Sequence, residues 1–207
     1  MSNHHDTAIH HVHRDDVGAK MGMWLFLFTE VLLFGGMFLV YAVYRYQYPD
    51  QFHYAAMELN TTVGTLNTII LLTSSLTVAL AITALQKGNK FLSMLMIFIT
   101  LVFALMFMVN KYFEWSTKFS HGIYPGSKEL LERPNGQILF FGLYYVMTGL
   151  HGLHVLVGMF MLSFMLYLIM KNKISSDNYV KLENSGLYWH LVDLIWIFLF
   201  PLFYLIQ

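Results

Sequence analysis

Five long apolar runs dominate the chain and restrict the folds available to it. They lie at roughly 21–46, 63–86, 91–113, 137–170 and 186–206. A helix needs ~20 apolar residues to cross a hydrocarbon layer of ~30 Å, and all five runs reach that length. None of them alternates apolar and polar residues as the strands of a membrane barrel do. The sequence therefore predicts an all-α fold, an integral membrane bundle of five transmembrane helices.

Composition agrees with a membrane location and excludes several classes of function. Charged residues make up 12% of the chain, about half the ~25% typical of soluble proteins. The formal net charge is zero, so no basic surface is expected and no nucleic acid partner. The absence of cysteine excludes disulfides, thiolate metal sites and a cysteine nucleophile. No hydrolase, phosphate-binding or dinucleotide motif is present, and we expect no catalytic residue.

The chain divides into a histidine-rich tail at 1–20 and a membrane domain at 21–207. The tail lacks the pattern of a cleaved signal peptide, so we expect the first apolar run to remain as an anchor. Five crossings place the two termini on opposite sides. Basic residues are more numerous on the amino-terminal side of the membrane. That side has Arg14, Lys20, Lys87, Lys90, Lys171, Lys173 and Lys181, whereas the other side has Arg45, Lys111, Lys118, Lys128 and Arg133. The positive-inside rule therefore predicts a cytoplasmic amino terminus and a carboxyl terminus outside.

Glu30 lies about ten residues into the first run, which is ~15 Å deep at 1.5 Å per residue. An ionised carboxylate at that depth is costly, so we expect this one to be protonated or hydrogen-bonded inside the bundle. One interpretation is an acid that exchanges protons or contacts a partner. The other is a neutral acid that closes an interhelical hydrogen bond with Thr29, Ser74 or Thr77.

A second group of polar residues lies in the last two runs. His151 and His154 share one helical face, and His190 and Asp193 share another, because each pair is spaced by three. Glu183 precedes the fifth run on the same side of the membrane. The sequence predicts that these five side chains cluster. Such a cluster suits either a metal site or a hydrogen-bond network, and buried ionisable groups in membranes usually pair with one another.

Four motifs resemble subunit III of the haem-copper terminal oxidases. In the order of that family they are GMWLFLFTEVLLFGGMF, LNTIILLTSSLTVALA, FFGLYYVMTGLHGLHVLVG and YWHLVDLIWIFLFPLFYL. The resemblance covers about residues 18–207 and implies the five-helix bacterial type of this subunit. It implies a multi-pass protein of the bacterial inner membrane that packs directly on oxidase subunit I, among other oxidase subunits. The complex reduces oxygen to water and pumps protons, and this chain supports its turnover and proton uptake.

The resemblance also has implications for cofactors and residues. Haem and copper belong to subunit I and none to this chain, while bound phospholipid is expected of the family. Seven-helix members hold lipid in a cleft beside two helices that this chain does not carry, so that cleft is absent here or completed by another subunit. Glu30 matches the family's buried carbodiimide-reactive glutamate. Structural or proton-related roles are implied for the positions that match its last two spans, which are His151, His154, Glu183, His190 and Asp193.

Other functions fit the same pattern of residues. An accessory subunit of a quinol oxidase or of a nitric oxide reductase would resemble this chain equally, because the electron donor docks on another subunit. A membrane cytochrome b anchor would ligate haem through His154 and His190. A small proton-coupled transporter would use Glu30, although the sequence has no inverted repeat.

Overall fold

The computed structural model describes residues 16–176 and 178–206. These residues form helices joined by short turns, with no strand in either range. The helices are α1 (Asp16–Gln47), α2 (Pro49–Met57), α3 (Thr61–Gln86), α4 (Lys90–Ser120), α5 (Lys128–Leu131), α6 (Asn135–Met170) and α7 (Val180–Tyr204). The tail histidines His4, His5, His10, His11 and His13 lie outside the described residues.

Helices α1, α3, α4, α6 and α7 are the five that are long and apolar enough to cross a membrane. The predicted all-α fold with five spans is therefore confirmed. Successive spans run in opposite directions, so the bundle has two ends. We call them the amino-terminal end, where α1 begins, and the carboxyl-terminal end, where α7 finishes beside α2.

Several boundaries differ from the prediction. Helix α4 continues beyond residue 113 to Ser120, and α7 begins at Val180 rather than near residue 186. The first helix already begins at Asp16, within the segment expected to be tail. The short helices α2 and α5 were not predicted, since each carries too few apolar residues to stand out. Proline at the start of α2 suits a first helical turn, where its missing N–H is not needed.

Helix α7 lies at the centre of the bundle, and α1 lies on its surface. In α7, half of the most apolar stretch is buried inside the protein. In α1, only 11% of the corresponding stretch is buried. Close approach of α6 and α7 depends on Gly158, where an added Cβ would lie 2.7 Å from the ring of Trp189. The fully buried Trp189 and Trp196 fill the space between α7 and its neighbours, as expected for a tightly packed interior.

Side-chain bonds attach α1 to the rest of the bundle at three depths. From one end to the other these bonds are Lys20–Glu183, Glu30–His154 and Tyr41–Leu202. The first joins Lys20 Nζ to a Glu183 carboxylate oxygen over 2.8 Å, and in the last the Tyr41 hydroxyl donates to the Leu202 carbonyl. Because so little of α1 is buried, these bonds are a large part of what positions it.

Candidate functional site

The membrane interior contains a pair formed by Glu30 of α1 and His154 of α6. His154 Nε2 lies 2.9 Å from Oε2 of Glu30. The side chain of Glu30 is 14% exposed and that of His154 is 13% exposed, so the pair is mostly enclosed by protein. Phe34 meets the imidazole edge-on at 5.4 Å, and Tyr188 stacks on it at 6.4 Å between centroids. The ring is therefore held between α1 and α7.

The hydrogen bonds of His154 define how protons are arranged in this pair. Its Nδ1 lies 2.8 Å from the carbonyl oxygen of Leu150, and a carbonyl can only accept, so Nδ1 carries a hydrogen. One further proton must then lie between Nε2 and the Glu30 carboxyl. Either the glutamic acid donates it to a neutral imidazole, or an imidazolium donates to a carboxylate. The neutral form costs less in a low-dielectric interior.

The predicted partners of Glu30 are wrong. The hydroxyls of Thr29 and Ser74 each donate to a backbone carbonyl three residues earlier on their own helix, at 2.7 Å in both cases. Thr77 lies 2.7 Å from the hydroxyl of Thr100 on α4. One of the two interpretations of Glu30 required an interhelical hydrogen bond. Such a bond does exist, but its partner is His154, so it joins α1 to α6.

The predicted cluster of histidines and carboxylates does not form. His154 faces α1, whereas His190 turns to α3, where its Nδ1 lies 2.6 Å from the Ser75 hydroxyl. Glu183 is paired with Lys20 at the amino-terminal end. Within residues 16–176 and 178–206, no three His, Asp or Glu side chains come close enough to hold a metal ion. The alternative of one haem between His154 and His190 is not supported, since the two rings face different helices.

His151 and Asp193 are the two predicted residues that lie deepest in the protein. Their exposed fractions are 0% and 3%. The His151 ring packs between Trp196, at 5.2 Å, and Phe107, at 5.6 Å. Neither its nitrogens nor the Asp193 carboxyl oxygens have a hydrogen-bond partner among the described residues, although Ser75 lies close enough to Asp193 to interact with it. Unsatisfied buried groups cost about 1–3 kcal/mol each.

A second polar site, which the sequence analysis missed, joins α4, α6 and α7 near the carboxyl-terminal end. Lys111 Nζ donates to Glu114 Oε2 at 3.2 Å, to the Tyr144 hydroxyl at 3.1 Å and to the Tyr204 hydroxyl at 2.9 Å. The other carboxylate oxygen of Glu114 accepts from both tyrosines, at 2.5 and 2.6 Å. All three protons of the ammonium are used, so the four residues form a closed network.

This Lys111–Glu114 network separates two cavities. A groove of about 580 Å³ between α4 and α6 is lined by Lys111, whereas a more polar cavity of about 300 Å³ is lined by Glu114. The lysine and glutamate side chains are only 9% and 7% exposed. A sign of this site was present in the sequence, since a basic and an acidic residue spaced by three end the third apolar run. Their burial depends on tyrosines of other helices, which spacing does not reveal.

The whole chain matches one protein family. The sequence model described as "Cytochrome c oxidase subunit III" matches residues 2–207.

Individual relatives have similar names. The chain is 30% identical over 197 residues to "Heme-copper oxidase subunit I+III" of Aeropyrum pernix, which covers 90% of the chain and 22% of that protein. It is 36% identical over 142 residues to "Cytochrome c oxidase subunit 3" of Yarrowia lipolytica, covering 67% and 47%. It is 29% identical over 200 residues to "Cytochrome c oxidase subunit 3" of Thermostichus vulcanus, covering 96% and 92%. The chain thus spans less than half the length of the first two and nearly all of the third.

Proposed function

The chain belongs to the cytochrome c oxidase subunit III family, and from this premise we propose that it is a non-catalytic subunit of a respiratory haem-copper oxidase. That complex reduces oxygen to water and couples the reaction to proton pumping. In this proposal the chain stabilises subunit I and supports proton uptake and sustained turnover. The observation that carries the proposal is the family match over residues 2–207.

Direct contact with subunit I is the first part of the proposal. The Aeropyrum pernix relative has the name of a combined subunit I+III, which supports two units that lie side by side in a membrane. The outward face of α1 offers an extensive apolar surface for such a contact, including Trp24, Leu32 and Leu39, which are 61%, 59% and 71% exposed. Haem and copper belong to subunit I in this arrangement.

The polar residues have structural and protonic roles in the proposed complex. Glu30 and His154 share one proton at membrane depth and hold α1 against α6. The Lys111–Glu114 network fixes α4, α6 and α7 near the carboxyl-terminal end. We place the amino-terminal end in the cytoplasm of a bacterial inner membrane, as the distribution of lysine and arginine favours. Cytochrome c is the proposed electron donor from the names of relatives, with quinol as the alternative.

Purification through a tag on this chain tests the proposal directly. The complex is extracted in mild detergent, and a reduced-minus-oxidised spectrum is recorded before and after a harsher wash. We expect a haem-copper subunit to co-purify and the haem to leave with that subunit on washing. A tagged chain that is isolated alone and retains its own haem would contradict the proposal.

Two histidine variants serve as the matched control. His154→Ala and His190→Ala would each remove the haem of a cytochrome anchor. In the proposed accessory subunit the haem content of the co-purified complex stays unchanged, because neither residue contacts the cofactor.

A further inference from the structure

His190 brings a polar atom to the outer surface of the bundle, at the seam where α3 and α7 pack together. Its Nδ1 lies 2.6 Å from the hydroxyl of Ser75 on α3, and its Nε2 makes no hydrogen bond within residues 16–176 and 178–206. The imidazole is only partly buried. Unlike the nitrogens of His151, Nε2 is not enclosed by protein, so it reaches the surface.

This surface atom lies deep in the membrane. At 1.5 Å per residue, Ser75 is about 21 Å from the start of α3 and about 17 Å from its end. The Ser75–His190 pair is therefore near the middle of the span, where the hydrocarbon layer of ~30 Å has no water to satisfy a polar group.

Asp193, one turn further along α7, determines which nitrogen of His190 carries the hydrogen. Its side chain is 3% exposed and no cation bonds to it, so the membrane interior favours the neutral acid. Ser75 lies close enough to interact with that acid. When Ser75 accepts the acid hydrogen, its own hydroxyl donates to Nδ1, which leaves the imidazole hydrogen on Nε2. The reverse order would leave a buried acid O–H without an acceptor, which is costly.

The surface around His190 contains no acceptor for this N–H. Leu194 and Ile197 lie on the same face of α7, and Leu72 lies one turn from Ser75 on α3; all three are exposed apolar residues. Lipid tails cannot accept a hydrogen bond, and lipid ester and phosphate groups lie at the membrane edge. A side chain of another spanning helix can supply an acceptor at this depth.

We propose that the seam of α3 and α7 is a docking surface for a membrane-spanning helix of a partner chain, which accepts a hydrogen bond from Nε2 of His190. The accepting side chain is uncharged and carries an oxygen, because the donor is neutral and the contact lies in hydrocarbon. The exposed residues Leu72, Leu194 and Ile197 form an apolar rim around the bond. The proposal rests on the proposed function in one respect, namely that the chain works inside a membrane complex.

Photo-crosslinking in the assembled complex tests which molecule covers this surface. Leu194→p-benzoylphenylalanine places a probe one turn from His190 on the same face of α7. Phe160→p-benzoylphenylalanine is the matched control, because Phe160 is 75% exposed on α6 and lies outside the seam. Membranes are irradiated, the complex is purified through a tag on this chain, and adducts are mapped by mass spectrometry. We expect at least fivefold more links to a partner's spanning helix from position 194 than from position 160.

Two substitutions of His190 separate the hydrogen bond from the shape of the surface. His190→Gln keeps an N–H donor near the place of Nε2, whereas His190→Leu removes every donor. In the chain with the probe at position 194, His190→Leu should lower the adduct yield about fivefold, the effect of one hydrogen bond. His190→Gln should retain most of the yield. The haem carried by each haem-copper subunit stays unchanged in both.

Thr73→Val is the matched control on α3. Thr73 is exposed on the same helix, but its hydroxyl already donates to the carbonyl of Ile69 at 2.7 Å. Its removal deletes a polar group from the membrane surface without deleting a donor that is free to meet a partner. The adduct yield from position 194 should therefore stay at the wild-type value.

Three results would overturn the proposal. The first is an equal yield of interchain adducts from positions 194 and 160. The second is an adduct at position 194 with lipid alone or with a second copy of this chain. The third is the same yield for His190→Leu and His190→Gln. If His190→Leu does not assemble, the adduct mapped with His190 in place decides the question, since the linked helix must carry an oxygen acceptor within one turn.

Co-purification of the haem-copper subunit is scored in the same preparations. Its absence contradicts the proposed function. Its presence without interchain adducts at position 194 contradicts only the docking surface, so the two failures are recognised separately.

Discussion

His154 of α6 holds Glu30 of α1 at 2.9 Å, and this contact connects the most exposed span to the bundle within the membrane. The imidazole has its Nδ1 hydrogen directed at a backbone carbonyl, so Nε2 offers a lone pair to its partner. A side chain that can donate at position 30 therefore preserves the bond, and one that cannot leaves Nε2 unsatisfied.

Glu30→Gln should retain both assembly and oxygen reduction, because an amide N–H can donate to Nε2 of His154. Oxygen consumption per haem is expected to stay near the wild-type value. Glu30→Leu should instead lower the free energy of unfolding by about 1–3 kcal/mol, the cost of an unsatisfied buried group. Loss of all oxygen reduction in an assembled Glu30→Gln complex would contradict the non-catalytic assignment.

Lys111→Met should be among the most damaging substitutions in the chain. It leaves the Glu114 carboxylate buried without its ammonium partner, and breaking a buried pair in this way costs about 3–5 kcal/mol. The double variant with Glu114→Gln should recover much of the lost free energy of unfolding, since the unpaired charge is removed. Unfolding in mixed micelles with increasing SDS, followed by circular dichroism, measures each step.

The control for Lys111→Met is the more exposed pair of Arg133 and Glu58, whose side chains are 28% and 35% exposed. Arg133→Gln should change the free energy of unfolding by only about 0–1 kcal/mol, because solvent screens this pair. Equal losses for Lys111→Met and Arg133→Gln would show that burial adds nothing to the Lys111–Glu114 pair.

Gly158→Ala should destabilise the packing of α6 on α7. An added Cβ lies 2.7 Å from the ring of Trp189, which is fully buried. Overpacking of this kind costs about 1–3 kcal/mol. Gly35→Ala is the control, since nothing lies within 4 Å of its added Cβ, and its thermal midpoint should equal or exceed that of wild type.

The orientation of the chain can be measured by cysteine labelling, which needs no background removal because the chain contains no cysteine. Lys173→Cys lies at the amino-terminal end of the bundle, and Glu132→Cys lies at the carboxyl-terminal end. Both side chains are exposed. A membrane-impermeant maleimide added to intact cells should label only Glu132→Cys, and labelling of only Lys173→Cys would reverse the proposed topology.

The sequence predicts the spans well because each is a continuous apolar run, and length alone identifies it. Short elements are different. Helix α2 buries Phe52, Ala55 and Ala56, but three apolar contacts in a nine-residue segment produce no distinct pattern. Its position depends on contacts from other helices, such as the bond between the Lys118 ammonium and the Glu58 carbonyl.

Site prediction failed where helix rotation decides the outcome. Spacing correctly places His151 and His154 on one helix, but does not indicate that one faces Trp196 and the other faces Glu30. Spacing also does not show where the side chain of Lys111 lies, because in the sequence it is only a charged residue near the end of an apolar run. Only the tyrosines supplied by α6 and α7 enclose it.

The bond between Glu30 and His154 joins residues that are 124 positions apart, which has a consequence for synthesis. At about 5–20 residues per second, the ribosome adds the histidine roughly 6–25 seconds after the glutamate. During that interval the imidazole of His154 does not yet exist, and lipid strongly disfavours an ionised carboxylate. We therefore expect Glu30 to enter the membrane as a neutral acid, so that docking of α1 on α6 is a late event in biogenesis.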